Sequence, residues 1–160
     1  MGGPTQDAAE LAEAVARLLR ENKQTVAVAE SLTSGKLASR LGAAPEASSW
    51  FAGGVVAYAA HVKFEVLGVE PGPVVTEQCA RQMARGVIRL MRSDFGLAVT
   101  GVGGPDPDEG KPAGTVFISV ATARGEDVAE YHFDGDPASV LEQSTAAALS
   151  MLLATIELRP

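Results

Sequence analysis

Ala27-Val-Ala-Glu-Ser31-Leu-Thr33-Ser34-Gly35 is the stretch on which the fold turns. It closes a short apolar run that begins at Thr25 and follows a polar break, a pattern that suits a buried strand. A polar turn from Ser31 to Gly35 comes next, and Lys36-Leu-Ala-Ser-Arg-Leu41 restarts a helical pattern that stops at Gly42. Strand, sharp polar turn and helix in that order place a serine where a strand hands over to a helix. Such a crossing lifts a hydroxyl out of the sheet and aims helix N–H groups at whatever lies above it.

Working outward, the residues before this stretch read as a helix over 7–20. Ala8, Leu11, Val15, Leu18 and Leu19 fall at helical spacing, with acids early and arginines late, as the helix dipole prefers. After it, residues 43–49 form a loop, and Phe51-Ala-Gly-Gly-Val-Val-Ala-Tyr58 reads as a second strand. A short helix over 61–67 is closed by Gly68. A longer one over 77–91 sets Cys79, Met83, Val87 and Leu90 on one side. Phe95-Gly-Leu-Ala-Val-Thr100 is a third strand, followed by a glycine- and proline-rich loop over 101–112. Two strands over 115–121 and 127–133 turn near Arg124-Gly125, and a last helix covers about 137–156. Helix and strand alternate early and strands are consecutive late. The expected fold is therefore a single-domain three-layer α/β/α sandwich with a mixed, mostly parallel sheet over residues 6–158, after a flexible start at 1–5.

Composition narrows the function. The 160 residues carry 46% hydrophobic and 21% charged side chains but only 5% aromatic ones, so the core must rest on Ala, Val, Leu and Ile. A net charge of -7 argues against an extended nucleic-acid surface, which needs a basic patch. It leaves room for one bound nucleotide, because backbone N–H groups and a single basic residue can hold a phosphate. The lone Cys79 can make no internal disulfide, and with two histidines there is little material for a metal site. The start is polar and acidic, with neither a signal pattern nor an 18-residue apolar run. A cytoplasmic protein without membrane partner, metal or cofactor is expected. Self-association suits so small and Ala-rich a chain, although no interface can be named.

Three segments carry candidate chemistry. Ser31 is placed as a nucleophile; equally, Ser31 or Thr33 could simply cap the helix. In Tyr58-Ala-Ala-His61-Val-Lys63, a lysine beyond a strand end becomes a general base if burial lowers its pKa, and the tyrosine could relay the proton. The alternative is an exposed helix lysine. The third segment, Val99-Thr100-Gly101-Val-Gly103-Gly104-Pro105, ends a strand in glycines that let backbone N–H groups approach a ligand. No Gly-Lys-Ser/Thr follows, so it is no P-loop, and a plain surface turn is the competing reading. His132 lies in an alternating strand and reads as structural, so no Ser-His-Asp set is apparent, while His61 beside Lys63 stays open. Asp106, Asp108 and Glu109 read as a solvated turn, and Cys79 as core.

Together these segments resemble the C-terminal domain of the competence/damage-inducible protein CinA, a family whose domain also occurs alone as nicotinamide mononucleotide deamidase. The resemblance rests on Ala29-Glu-Ser-Leu-Thr-Ser-Gly35, on Gly53-Gly-Val-Val-Ala-Tyr58 with Lys63 beyond it, and on Leu67-Gly-Val69. It is completed by Ala98-Val-Thr-Gly-Val-Gly-Gly-Pro105 and Gly110-Lys-Pro-Ala-Gly-Thr-Val116, so it runs nearly the whole chain in order. It implies a Ser/Lys amidohydrolase that turns nicotinamide mononucleotide into nicotinate mononucleotide and ammonia. Ser31 would attack the carboxamide, Lys63 would take and return the proton, and Tyr58 would assist. Backbone groups at Thr33, Ser34 and Gly35 would hold the oxyanion, and Thr100, Gly101, Gly103 and Gly104 the ribose phosphate. The larger family members carry an additional N-terminal nucleotide-hydrolysing domain, and none is expected within these 160 residues.

The chain departs from the family pattern at named positions. Leu32 and Ser34 stand where Cys and Gly are usual, and Ala59-Ala-His-Val62 replaces Ser-Asn-Glu-Ala. The usual Gly-Asp-Arg before the last helix is Gly135-Asp136-Pro137, and if that arginine binds substrate, its absence removes a bidentate contact to phosphate or carboxylate. Against the deamidase stands the alternative of a non-catalytic or divergent nucleotide-binding or interaction module on the same scaffold.

Overall fold

The computed structural model describes residues 7–158. The flexible start expected at 1–5 lies outside them. Five α-helices and five strands follow in the order α1 (Ala8–Asn22), β1 (Val26–Glu30), α2 (Lys36–Gly42), β2 (Phe51–Val56), α3 (Ala60–Leu67), α4 (Glu77–Met91), β3 (Phe95–Gly101), β4 (Thr115–Thr122), β5 (Gly125–His132) and α5 (Pro137–Leu158), with one 3-10 turn over Ala47–Ser49 in the loop before β2. The sheet order is β2-β1-β3-β4-β5. β1 pairs parallel with β2 and β3, whereas β4 runs antiparallel to both β3 and β5. This is the mixed sheet expected. Half of its pairings are parallel, because the last two strands form a hairpin.

The two sheet faces carry side chains of different size, and this sets the two helical layers. Val26, Val28, Leu97, Val99, Val116, Ile118 and Val120 face α1, α2 and α5 in the larger core. Ala27, Ala29, Ala98 and Ala121 face α3 and α4 in the smaller one. Small residues let α4 lie close to the strands. A Cβ on Gly96 would stand 2.3 Å from the Ala84 carbonyl oxygen, far inside contact distance. One element of the sequence reading needs correction here. Leu90 shares a stripe with Cys79, Met83 and Val87 but is 48% exposed. The end of α3 meets α4 at Gly86, against Leu67, so Leu90 lies one turn past the covered part.

Local chemistry explains the ends. Asp7 caps α1 by accepting the Ala9 N–H at 2.6 Å, and Thr76 caps α4 by accepting the Cys79 N–H at 3.0 Å. Lys23 and Arg92 close their helices in the left-handed conformation without glycine. For that reason α1 runs to Asn22, two residues past the end read from polarity. α5 is 22 residues long and apolar enough, by length and composition, to cross a membrane. Here Val140, Ala148, Leu149, Leu152 and Ile156 spend that apolar surface on the larger core.

Candidate active site

Because β2, β1 and β3 are parallel, their C-terminal ends share one edge of the sheet. After β1 the chain enters the α2 layer, and β1 lies between β2 and β3. A crevice at such a strand-end junction is where open α/β sheets place their ligands. The crevice here is a cleft of about 220 Å³, lined by Ser31 and Leu32 after β1, Tyr58 and Lys63 after β2, Val74 and Val75, and the loop from Thr100 to Asp108.

Ser31 is held by its backbone. Its N–H donates to the Val99 carbonyl at 3.1 Å, extending the β1–β3 pairing by one residue, and its carbonyl accepts the Ser34 N–H at 3.1 Å. The chain then reverses through left-handed Ser34 and Gly35, with φ of 53° and 101°. Ser31 is 7% exposed, and its hydroxyl has no internal partner among the described residues.

Thr33, Ser34 and Gly35, expected to bind substrate, are not among the cleft residues. The physical reason is Glu30. This carboxylate is fully buried and accepts the Thr33 hydroxyl at 2.7 Å, the Leu37 N–H at 2.9 Å and the Ala38 N–H at 3.0 Å. The first turn of α2 is thereby satisfied from within, and Thr33 is drawn under the turn rather than over it. Neither Ser31 nor Thr33 caps the helix; Glu30 takes that task. Its signal in the sequence was an acid closing an otherwise apolar strand.

Lys63 lies in the second turn of α3. Helical side chains lean toward the N-terminus, and this one reaches back to donate to the carbonyls of Ala57 at 2.7 Å and Tyr58 at 3.0 Å. It is 1% exposed, which decides against the exposed-lysine alternative. Burial lowers its pKa below the ordinary lysine value, while Cys79, once ionised, and the Glu109 carboxylate act in the opposite direction. Cys79 is itself pushed up to about 11 by burial, so at neutral pH it is an uncharged thiol. The Tyr58 side chain stands at the rim of the cleft, 67% exposed.

The glycine loop divides. Gly101, Gly103 and Gly104 all line the cleft. A Cβ on Gly101 would meet the Thr115 carbonyl oxygen at 2.5 Å, so this glycine is demanded by strand packing. Gly103 is open toward the cleft. Thr100 also lines it, but its hydroxyl is spent on the Val74 carbonyl at 2.8 Å. Two acids missed as site residues, Asp106 and Asp108, complete the wall. Glu109 is exposed, as the solvated-turn reading expects, and its carboxylate also accepts the Val74 and Val75 N–H groups at 2.9 and 2.8 Å. His61 lies outside the lining and His132 pairs with Glu130 on β5, so no histidine serves the cleft. Among the described residues no cluster of His, Cys, Asp and Glu could hold a metal.

The family model described as CinA C-terminal domain matches residues 8–156. The chain belongs to this family. A CinA-like protein of Thermosynechococcus vestitus is 42% identical over 159 residues, which cover 94% of this chain and 38% of that protein. Another from Geobacter metallireducens is 42% identical over 146 residues, 86% of this chain and 35% of that protein. The CinA domain described here thus spans little more than a third of the length of these relatives. Among solved structures, a competence-damaged protein (CinA) superfamily protein from Escherichia coli superposes with a TM-score of 0.93 at 33% identity, covering 97% of this chain and 94% of that one. A competence/damage inducible protein from Agrobacterium tumefaciens gives 0.88 at 30% identity, covering 96% and 98%. These likenesses extend the family fold to this chain as an α/β domain with a five-stranded mixed sheet.

Proposed function

We propose that this CinA domain is an amidohydrolase of pyridine-carboxamide nucleotides, with nicotinamide mononucleotide as its first candidate substrate. The observation that carries the reading is the pairing, in one cleft, of an unpartnered serine with a fully buried lysine. Lys63 is the kind of base the reaction needs, an amine that burial makes easier to hold neutral. In the proposed path neutral Lys63 takes the Ser31 proton as Oγ bonds to the carboxamide carbon. The same proton goes to the leaving nitrogen as the C–N bond breaks and ammonia departs. Water then attacks the acyl ester, with Lys63 again moving the proton, and the carboxylic acid leaves Ser31 restored.

The oxyanion needs N–H donors that no protein acceptor occupies. Leu32 N–H, directly after the nucleophile and at the cleft, fits that need better than the Thr33–Gly35 amides first expected. Asp106 and Asp108 suit a cationic, N-glycosylated pyridinium ring or its ribose hydroxyls, and they do not suit a phosphate lying between them. The cleft lining includes no arginine, which favours as a second reading a divergent member that takes a non-phosphorylated carboxamide or binds without turnover. Ammonia release tests both. Production from nicotinamide mononucleotide by the folded protein supports the first reading, and silence on it with release from the nucleoside supports the second.

A further inference from the structure

We propose that Glu109 is a positioning residue for this cleft: its carboxylate ties the 74–75 segment, which lines the cleft together with buried Lys63, and it places a negative charge on that side of the lysine. The tie is specific. Both carboxylate oxygens accept the Val74 N–H, at 3.1 and 2.9 Å, and one also accepts the Val75 N–H at 2.8 Å. From the other side, the Val74 carbonyl is held by the Thr100 hydroxyl. Val74 and Val75 belong to no helix or strand, yet they form a wall of the cleft, held by these side-chain bonds together with the packing of Val75 against Ala80, Val102 and Phe117.

The backbone at Glu109 supports the assignment. Asp108 and Lys111 form a tight turn whose two central residues, Glu109 and Gly110, have φ of 52° and 74°. Glycine or asparagine suits such positions, and a glutamate there is strained. The strain is offset by the bonds its side chain makes across 34 residues of sequence.

Several titratable groups lie around Lys63. α4 presents Cys79, an uncharged thiol at neutral pH. The loop after β3 presents Asp106 and Asp108 at the cleft wall and Glu109 beside the 74–75 segment, and after β2 come Tyr58 and, exposed on α3 itself, His61 and Glu65. Of the carboxylates, Glu109 is the one whose charge acts on Lys63 against the effect of burial.

The use of Lys63 as a base rests on the amidohydrolase reading; its titration does not. The test is therefore an NMR titration of labelled lysine side chains, which are only Lys23, Lys36, Lys63 and Lys111, in the folded protein. Glu109→Gln is expected to lower the Lys63 midpoint by roughly half a unit, about threefold in its protonation constant. Glu109→Asp keeps the charge but shortens the reach. It is expected to leave the midpoint near that of the wild type while speeding hydrogen exchange at the Val74 and Val75 amides. An unmoved midpoint in Glu109→Gln overturns the proposal, as does Glu109→Asp with both amides as protected as before. A moved midpoint in a protein that hydrolyses no carboxamide supports the role of Glu109 and tells against the amidohydrolase reading alone.

Discussion

The Glu30 carboxylate accepts the Leu37 N–H at 2.9 Å, spanning from beneath the turn that carries Ser31. The nucleophile candidate and the cap of α2 are thus adjacent residues with opposite fates, one at the cleft and one buried under it. The same contact explains why the amides of α2 are closed to a ligand while Ser31 is open to one.

Glu30→Ala should destabilise the fold by on the order of 3 kcal/mol, because three donors lose a buried charged acceptor. Urea unfolding measures it. A loss below about 1 kcal/mol would show that water replaces the carboxylate and that the cap is dispensable.

Ser31→Ala removes a hydroxyl that bonds to nothing else in the described chain, so stability should change little while ammonia release falls by at least about a thousandfold. Lys63→Ala should fall comparably, since nucleophile and base act as a unit. Residual turnover within tenfold of the wild type in Ser31→Ala would assign the nucleophile elsewhere.

The lowered pKa of Lys63 links stability to pH. Between its folded pKa and the ordinary lysine value of 10.5 the unfolded chain holds a proton that the folded chain does not, so stability from this group rises with pH across that window. It is lowest below the folded pKa. Relative to Lys63→Met, the wild type should therefore gain stability as pH climbs. The comparison belongs below pH 9, the ordinary thiol value, where Cys79 keeps its proton folded or unfolded. Parallel pH profiles for the two proteins below pH 9 would mean that Lys63 keeps its proton throughout that range. On the amidohydrolase reading, the same shift would put the acid limb of ammonia release below the range of a free lysine.

Gly96→Ala should cost about 1–3 kcal/mol, because the added methyl meets the Ala84 carbonyl and α4 must back away from the sheet. Thermal unfolding reads the loss. A variant as stable as the wild type would mean that the helix layer yields freely.

Much of this molecule was legible along the chain, because its elements are written in local terms. The apolar run to Ala29, the break at Ser31 and the restart at Lys36 needed only neighbouring residues to be read, and β1 and α2 fall there. The same holds for α4 over Glu77–Met91, whose apolar stripe of Cys79, Met83 and Val87 is written in local spacing. Ser31, Tyr58 and Lys63 could be named as candidates because each follows a strand, and parallel pairing brings strand ends together. Other features depended on atoms far apart in sequence. Whether Lys63 was buried, that Thr33 would turn under toward Glu30, and that Thr100 would spend its hydroxyl on Val74 were decided by packing. Glu109 shows the difference most plainly. In the chain it is one acid in a polar turn, and only the approach of the 74–75 backbone makes it a clamp. Periodicity reports which face of an element is apolar, but the partner of a polar group is set by the three-dimensional neighbour that can satisfy it.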